Sequence, residues 1–210
     1  MVEKIQVTIN IEIFLFIILF IFTKQIDLYI IFIFLTLVHE LSHMIAGIIL
    51  GLKPKKFMVM PFGFKIIFDE TNDKKKMEAK KIIIAITGPA VNLMLMVISA
   101  ILHLHTNIIY ANLVIALFNL IPIYPLDGGR ILKAILSSKK ESSKVYDIVN
   151  KISNITVIAL TVATSIIILY IRNIAIVFAL AYLWYLVIKE NRKYKIIKRV
   201  YNIIEVNTQV

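Results

Sequence analysis

The stretch Leu37-Val38-His39-Glu40-Leu41-Ser42-His43 lies inside an apolar run long enough to span a bilayer, and it constrains this chain more than any other. Ionisable side chains at membrane depth are costly, so three of them together need a chemical reason. Histidines at i and i+4 project from one helix face, about 6 Å apart along the axis, the spacing that lets two imidazoles hold one zinc ion. Glu40, about 100° round the helix from His39, is placed to serve as a general base. With four His and eight Glu in the chain, roughly a few in a thousand such sequences would carry this motif by chance. Catalytic zinc commonly takes three protein ligands and keeps one open position, so a third ligand is to be sought elsewhere.

The surroundings agree with a membrane setting. The chain has 210 residues, 60% of them hydrophobic, and its mean hydropathy is +0.86. A soluble domain runs nearer 45–50% apolar, so the fold class expected is an all-α polytopic membrane protein. Six spans are expected, at about 5–22, 28–50, 82–104, 107–124, 153–171 and 173–189. The absence of cysteine excludes disulfides and leaves His, Asp and Glu as metal ligands. The run Ile13 to Phe22 lacks a small-residue cleavage site before Thr23-Lys24-Gln25, so no cleavable signal peptide is expected. With six crossings, 22 of the 24 Lys and Arg residues fall on the side that holds both termini, and only Lys24 and Arg172 on the other. That asymmetry places both termini in the cytoplasm. Cationic loops beside anionic headgroups account for the net charge of +11 without nucleic acid as a partner.

Between the second and third spans, residues 57–68 form two β-like runs about Pro61-Phe62-Gly63, too short to cross and read as a membrane-associated β-hairpin. An open sheet edge is not tolerated facing lipid, so the hairpin must be buried, line a cavity or lie at the interface. It serves either as a strand that accepts an extended peptide or as an interfacial loop with apolar anchors; both readings stand. The domain organisation expected is one intramembrane domain over 1–190 and a short basic cytoplasmic tail over 191–210 lying along the membrane surface.

Two acidic residues are candidates for the third ligand. Glu12 lies near the cytoplasmic start of the first span, where reaching the headgroups explains it most simply. Asp127 lies in Asn119-Leu120-Ile121-Pro122-Ile123-Tyr124-Pro125-Leu126-Asp127-Gly128-Gly129-Arg130. Pro122 and Pro125 stop a regular helix there, and broken backbone at membrane depth is tolerated where it lines a polar cavity. Asp127 would otherwise cap the helix that starts near Gly129; with HELSH on the same chain, the ligand reading prevails. His103 and His105, at the outer end of the third span, read as solvated interfacial residues.

HELSH, Gly88-Pro89-Ala90-Val91-Asn92 and Asn119-x-x-Pro122-x-x-Pro125-x-Asp127-Gly128-Gly129, in that order, resemble the site-2 protease family of intramembrane zinc metalloproteases. Within it the chain looks most like the branch that processes a sporulation sigma factor. The resemblance covers about residues 1–190 and implies one zinc ion per chain held by His39, His43 and Asp127, with Glu40 as the base. It implies that Asn119, Pro122 and Pro125 shape the substrate-facing region, and that Gly88-Pro89 and Asn92 allow close packing and hydrogen bonding near the site. Asn119 and Asn92 are alternative donors to the oxyanion or the substrate backbone. The partners implied are a membrane-associated pro-protein substrate, the lipid bilayer and membrane-embedded inhibitory or regulatory proteins. Relatives of the sporulation type often carry a nucleotide-sensing CBS domain after the last span; with the tail that follows Lys189, none is expected here. Other readings are a general site-2 protease that cuts transmembrane anti-sigma factors or signal-peptide remnants, and, from another class, a zinc transporter or an inactive membrane scaffold.

Overall fold

Lipid offers backbone amides no hydrogen-bond partner, so long apolar runs satisfy themselves as helices, and the computed structural model is mostly helical. It describes residues 6–9, 14, 17–18, 21–60, 63–68, 74–138, 142–171 and 174–208. The chain divides into two compact units, Met1–Leu120 and Ile121–Val210.

The first unit holds β1 (Gln6–Ile9), α1 (Ile26–Ile49), β2 (Pro54–Met60), β3 (Gly63–Phe68), α2 (Lys74–Ile101) and α3 (Thr106–Leu120). On α1 the buried residues Thr36, His39, Glu40, His43 and Gly47 recur every three or four positions and form one stripe. Ile30, Phe34, Ile45 and Ile49 of the same helix are exposed, as a lipid-facing side requires. On α2 the buried stripe is Ala85, Gly88, Pro89, Asn92 and Ser99, and on α3 it includes Asn112, Ile115 and Ala116. Membrane helices gain little from hydrophobic contact with one another, so small residues and polar pairs on such stripes hold them together. Leu52, Met77 and Ile84 form a buried cluster against Ala46, Leu50 and Phe68, which ties the end of α1, the sheet and α2 into one body.

The sheet has three strands in the order β1-β2-β3. β2 and β3 are antiparallel from Met60↔Gly63 to Pro54↔Phe68, with an irregularity between Pro54 and Lys56. β1 adds in parallel, from Gln6↔Lys56 to Ile9↔Val59. This corrects the start of the first expected span: Gln6-Val7-Thr8-Ile9 is a strand, and its polar–apolar alternation with β-branched residues is a period-two signal that apolarity alone hides. Most of the remainder of that span, including Glu12, lies outside the described residues.

Among the described residues, three helical segments are long and apolar enough to cross a membrane, Ile26–Ile49, Met77–Ile101 and Lys144–Ile166. The 15 residues of α3 rise only about 22 Å, less than the roughly 30 Å of a hydrocarbon core. This helix stops at Leu120 rather than at the expected residue 124, because Pro122 and Pro125 cannot donate to its ladder.

The second unit holds α4 (Asp127–Ser137), α5 (Ser142–Ile171) and α6 (Ile174–Thr208). α5 and α6 run antiparallel: Trp184 Nε1 donates to Thr161 Oγ1 at 2.9 Å, Asn191 Nδ2 to Asn154 Oδ1 at 2.8 Å, and the Tyr194 hydroxyl to Asp147 Oδ1 at 2.6 Å. α6 continues as helix well past Lys189. Tyr194 is buried and stacks on Tyr146, with ring centroids 5.6 Å apart. Lys133 of α4 donates to the Tyr146 hydroxyl at 3.0 Å and sits over the rings of Tyr146 and Tyr124. Burial alone would pull its ammonium group below its usual range; attraction to Tyr124, Tyr146 and Glu190 more than offsets this and holds it above.

Candidate metal centre

Helix geometry places the imidazoles of His39 and His43 together on the inner face of α1, edge to face with ring centroids 4.8 Å apart. Both are buried, at 3% and 1% exposure. Their Nε2 atoms face each other at 3.2 Å.

The opposite nitrogens explain what that approach means. His43 Nδ1 lies 2.6 Å from the carbonyl oxygen of Ile84, which also accepts from Thr87 Oγ1 at 2.7 Å. A carbonyl oxygen can only accept, so His43 Nδ1 carries the ring proton and Nε2 a lone pair. His39 Nδ1 lies 2.5 Å from Asn92 Oδ1, again an acceptor, so its Nε2 carries a lone pair as well. Two lone pairs aimed at each other in a buried site repel unless a cation lies between or beside them. The second-nitrogen hydrogen bonds are those with which metal-ligating histidines are ordinarily held.

Gly88 leaves the room. A Cβ at this position would stand 2.5 Å from the Nε2 atoms of both His39 and His43. A buried cradle lined by two imidazole nitrogens fits zinc, which takes nitrogen and carboxylate ligands without a geometric demand of its own.

Glu40 is buried on the same helix, one residue from His39. Ser42, also within the motif, donates its hydroxyl to the His39 carbonyl at 2.5 Å. Asn92 is fully buried, and its Nδ2 donates to Asn112 Oδ1 at 2.9 Å. Asn119, one residue from the end of α3, is half-buried, and its Nδ2 gives one hydrogen to the Ile115 carbonyl at 3.0 Å. The first unit thus gathers His39, His43 and Asn92, with Glu40 on the same helix face. Thr87 and Asn112 escaped the sequence reading. A signal for Asn112 was present, since an amide in the middle of an apolar helix needs a partner.

In the second unit, Pro122 and Pro125 lie in the irregular segment before α4, with Tyr124-Pro125 in the cis form and Leu126 N bonded to Ile123 O at 2.8 Å. Asp127 is buried at 3% exposure and is the first residue of α4. Leu126 takes the cap position, so the expected alternative of Asp127 as helix cap is not the one adopted. A carboxylate in the first turn is stabilised by the helix dipole, and Arg130 Nη1 lies 3.4 Å from Asp127 Oδ1. His103 and His105 remain exposed near the turn between α2 and α3.

His39 and His43 thus form a buried imidazole pair of the kind that could hold a metal ion, on a helix long and apolar enough to cross a membrane. Residues 101–160 match the family described as Peptidase family M50. A zinc metalloprotease of Methanocaldococcus jannaschii is 32% identical over 123 residues, covering 53% of this chain and 35% of that protein. Stage IV sporulation protein FB of Bacillus subtilis is 29% identical over 120 residues, covering 53% and 41%. A putative zinc metalloprotease of Synechocystis is 34% identical over 110 residues, covering 47% and 28%. The matched stretches therefore span well under half of these relatives. The solved site-2 protease of Methanocaldococcus jannaschii shares the fold, with a TM-score of 0.67 over 90% of this chain and 93% of that one, at 24% identity.

Proposed function

We propose that the chain is an intramembrane zinc endopeptidase that performs regulated proteolysis, with both termini in the cytoplasm. The observation that carries this reading is the facing pair of Nε2 atoms, each on a ring whose other nitrogen is tied to an oxygen acceptor. The metalloprotease names of two relatives support it.

In this reading His39 and His43 hold the zinc, and Asp127 completes the ligand set. Zinc so held supplies a Lewis acid that polarises the scissile carbonyl and lowers the pKa of water. Glu40 takes the proton of the attacking water and delivers it to the leaving amine. Asn119 is half-buried and its bond to Ile115 uses one amide hydrogen, which supports Asn119 over Asn92 as the donor to the oxyanion. Asn92 has no exposure through which a substrate would reach it, and serves His39 instead. A helical substrate hides its carbonyls in internal bonds and must be extended before attack; the β2–β3 hairpin is where such a strand would add. Pro122 and Pro125 keep the backbone before Asp127 out of a regular helix, and in this reading they shape the substrate-facing region.

The substrate we assign is the membrane-associated pro-segment of a sporulation sigma factor, on the similarity to stage IV sporulation protein FB. The test is cleavage of such a pro-protein by purified chain in liposomes, with a transmembrane anti-sigma factor in parallel, comparing wild type with Glu40→Gln and Asp127→Asn. Both variants should lose cleavage. Wild-type cleavage matched by both variants overturns the mechanism, and cleavage of the anti-sigma factor alone transfers the substrate assignment to that class. Zinc flux into the liposomes that survives Glu40→Gln identifies a transporter instead.

A further inference from the structure

The hydrogen bonds of His39 do not end at Asn92. The Asn112 amide on α3 donates Nδ2 to the Ile108 carbonyl at 2.9 Å, one turn back on its own helix. Its Oδ1 accepts Nδ2 of Asn92 at 2.9 Å, and Asn92 Oδ1 faces His39 Nδ1 at 2.5 Å. Asn92 and Asn112 are both wholly buried.

The two ends of an amide are nearly alike in shape, so chemistry must decide which way each points. The Ile108 carbonyl only accepts, so Asn112 must turn its nitrogen there and its oxygen toward Asn92. Asn92 must then offer nitrogen to Asn112 and oxygen to His39. An oxygen at that place obliges His39 Nδ1 to keep its proton, which leaves Nε2 with the lone pair. A backbone carbonyl on α3 thereby selects the tautomer of a histidine on α1, through two side chains. His43 needs no such relay, because its Nδ1 meets the Ile84 backbone directly.

We infer that Asn112 is a positioning residue of the metal centre, acting through the orientation of the Asn92 amide to keep His39 in the tautomer that binds zinc through Nε2. The inference rests on the metal reading of His39 and His43 and extends it to a residue that touches neither histidine in these hydrogen bonds. Without Asn112 Oδ1, nothing in the relay holds the Asn92 nitrogen away from His39. A turned Asn92 would offer N–H to Nδ1, move the ring proton to Nε2 and remove one ligand atom.

The experiment uses the full chain in detergent, stripped of metal and titrated with zinc against a chelator. Asn112→Leu should weaken zinc binding about ten- to a hundredfold, the usual cost of losing an outer-shell partner. The same change should move affinity by no more than about threefold when Asn92→Asp is also present, because a carboxylate has no N–H end to turn toward His39. A cost that persists in the Asn92→Asp background marks Asn112 as packing and overturns the inference, as does Asn112→Leu protein that binds zinc like wild type. Should Asn112→Leu fail to accumulate, Asn112→Ala removes the same acceptor and is held to the same outcomes. A second readout needs no variant at position 112: in metal-free wild type labelled with 15N histidine, His39, assigned by loss of its signals in His39→Gln, should show a protonated Nδ1 and a bare Nε2. The reverse pattern overturns the inference whatever the variants do. Wild type that binds no zinc overturns the protease reading together with this one, whereas zinc-binding wild type with an indifferent position 112 overturns this one alone.

Discussion

The ring of Phe68 fills the space that a side chain at Gly47 would need, with its Cδ1 3.2 Å from where a Cβ would stand and Cε1 and Cζ nearer still. Gly47 lies four residues beyond His43 on the buried stripe of α1, so strand β3 is seated one turn from His43. Glycine inside a helix costs up to about 1 kcal/mol relative to alanine, and here the close seat of an aromatic ring offsets that loss. Gly47→Ala should therefore destabilise the protein despite its better helix propensity, by about 1–3 kcal/mol of overpacking. Thermal unfolding should show a lowered Tm, partly regained when Phe68→Leu is added. A Gly47→Ala protein as stable as its parent would show that the ring is not seated there.

Gly88 makes a sharper demand, because the atoms its Cβ would meet are the Nε2 atoms of His39 and His43 rather than the far end of one ring. Gly88→Ala should fold, since alanine favours helix, and yet purify without bound metal. Ligand binding to the native state raises stability by roughly 2.7 kcal/mol at a hundred times Kd, so zinc should raise the Tm of metal-free wild type and leave that of Gly88→Ala unmoved. An equal zinc response in the two proteins would place the ion elsewhere.

The centre was legible in the sequence where chemistry is local. HELSH fixed two imidazoles and a carboxylate on one helix by spacing alone, and two prolines announced that α3 would stop before Asp127. The hydrogen-bond relay was not legible, because it joins His39, Asn92 and Asn112 across three helices separated by 53 and then 20 residues. Asn92 was visible through its motif, but whether it faced substrate or histidine depends on packing. Gln6–Ile9 was misread as helix because apolar content outweighed a four-residue alternation, and pairing with β2 supplies what a strand of that length lacks by itself. Charge alone does not reveal that the basic stretch after Lys189 is helical. Its helical course rests on Tyr194 meeting Tyr146 and Asp147, contacts that charge does not encode.

Lys133 gives a pH prediction in the second unit. Its pKa is raised in the folded protein, because attraction to Tyr124, Tyr146 and Glu190 outweighs burial. A group whose folded pKa lies above its unfolded value stabilises fully below the unfolded pKa and loses that contribution as pH rises through the folded one. Lys133→Met should thus lower stability at neutral pH, where the ammonium is charged in both states, and flatten the decline of wild type in the alkaline range above the ordinary lysine value. Urea midpoints at neutral and alkaline pH check this. A difference between the two proteins that stays constant across the range would assign the loss to packing alone.

The proposed division of labour among Glu40, His43 and Asp127 separates binding from chemistry. Glu40 is assigned the proton and no ligand bond, so Glu40→Gln should bind zinc like wild type while cleavage falls by about 10²–10⁴-fold, the range ascribed to general acid–base catalysis. His43 is both a proposed ligand and the partner of the Ile84 carbonyl at 2.6 Å. His43→Ala should therefore lose zinc and also stability, because it removes a buried hydrogen bond worth about 0.5–1.5 kcal/mol, while the Ile84 carbonyl keeps its bond from Thr87. Asp127→Asn keeps the size of the side chain and a neutral oxygen but removes the charge that zinc favours. It should weaken zinc binding while leaving the metal-free protein near its normal Tm, since Arg130 is its partly exposed ion-pair partner at 3.4 Å and such pairs contribute little. Zinc titration and thermal unfolding of the three metal-free variants separate these outcomes. Glu40→Gln protein that fails to bind zinc would make Glu40 a ligand, and would leave the proton transfer without its proposed carrier.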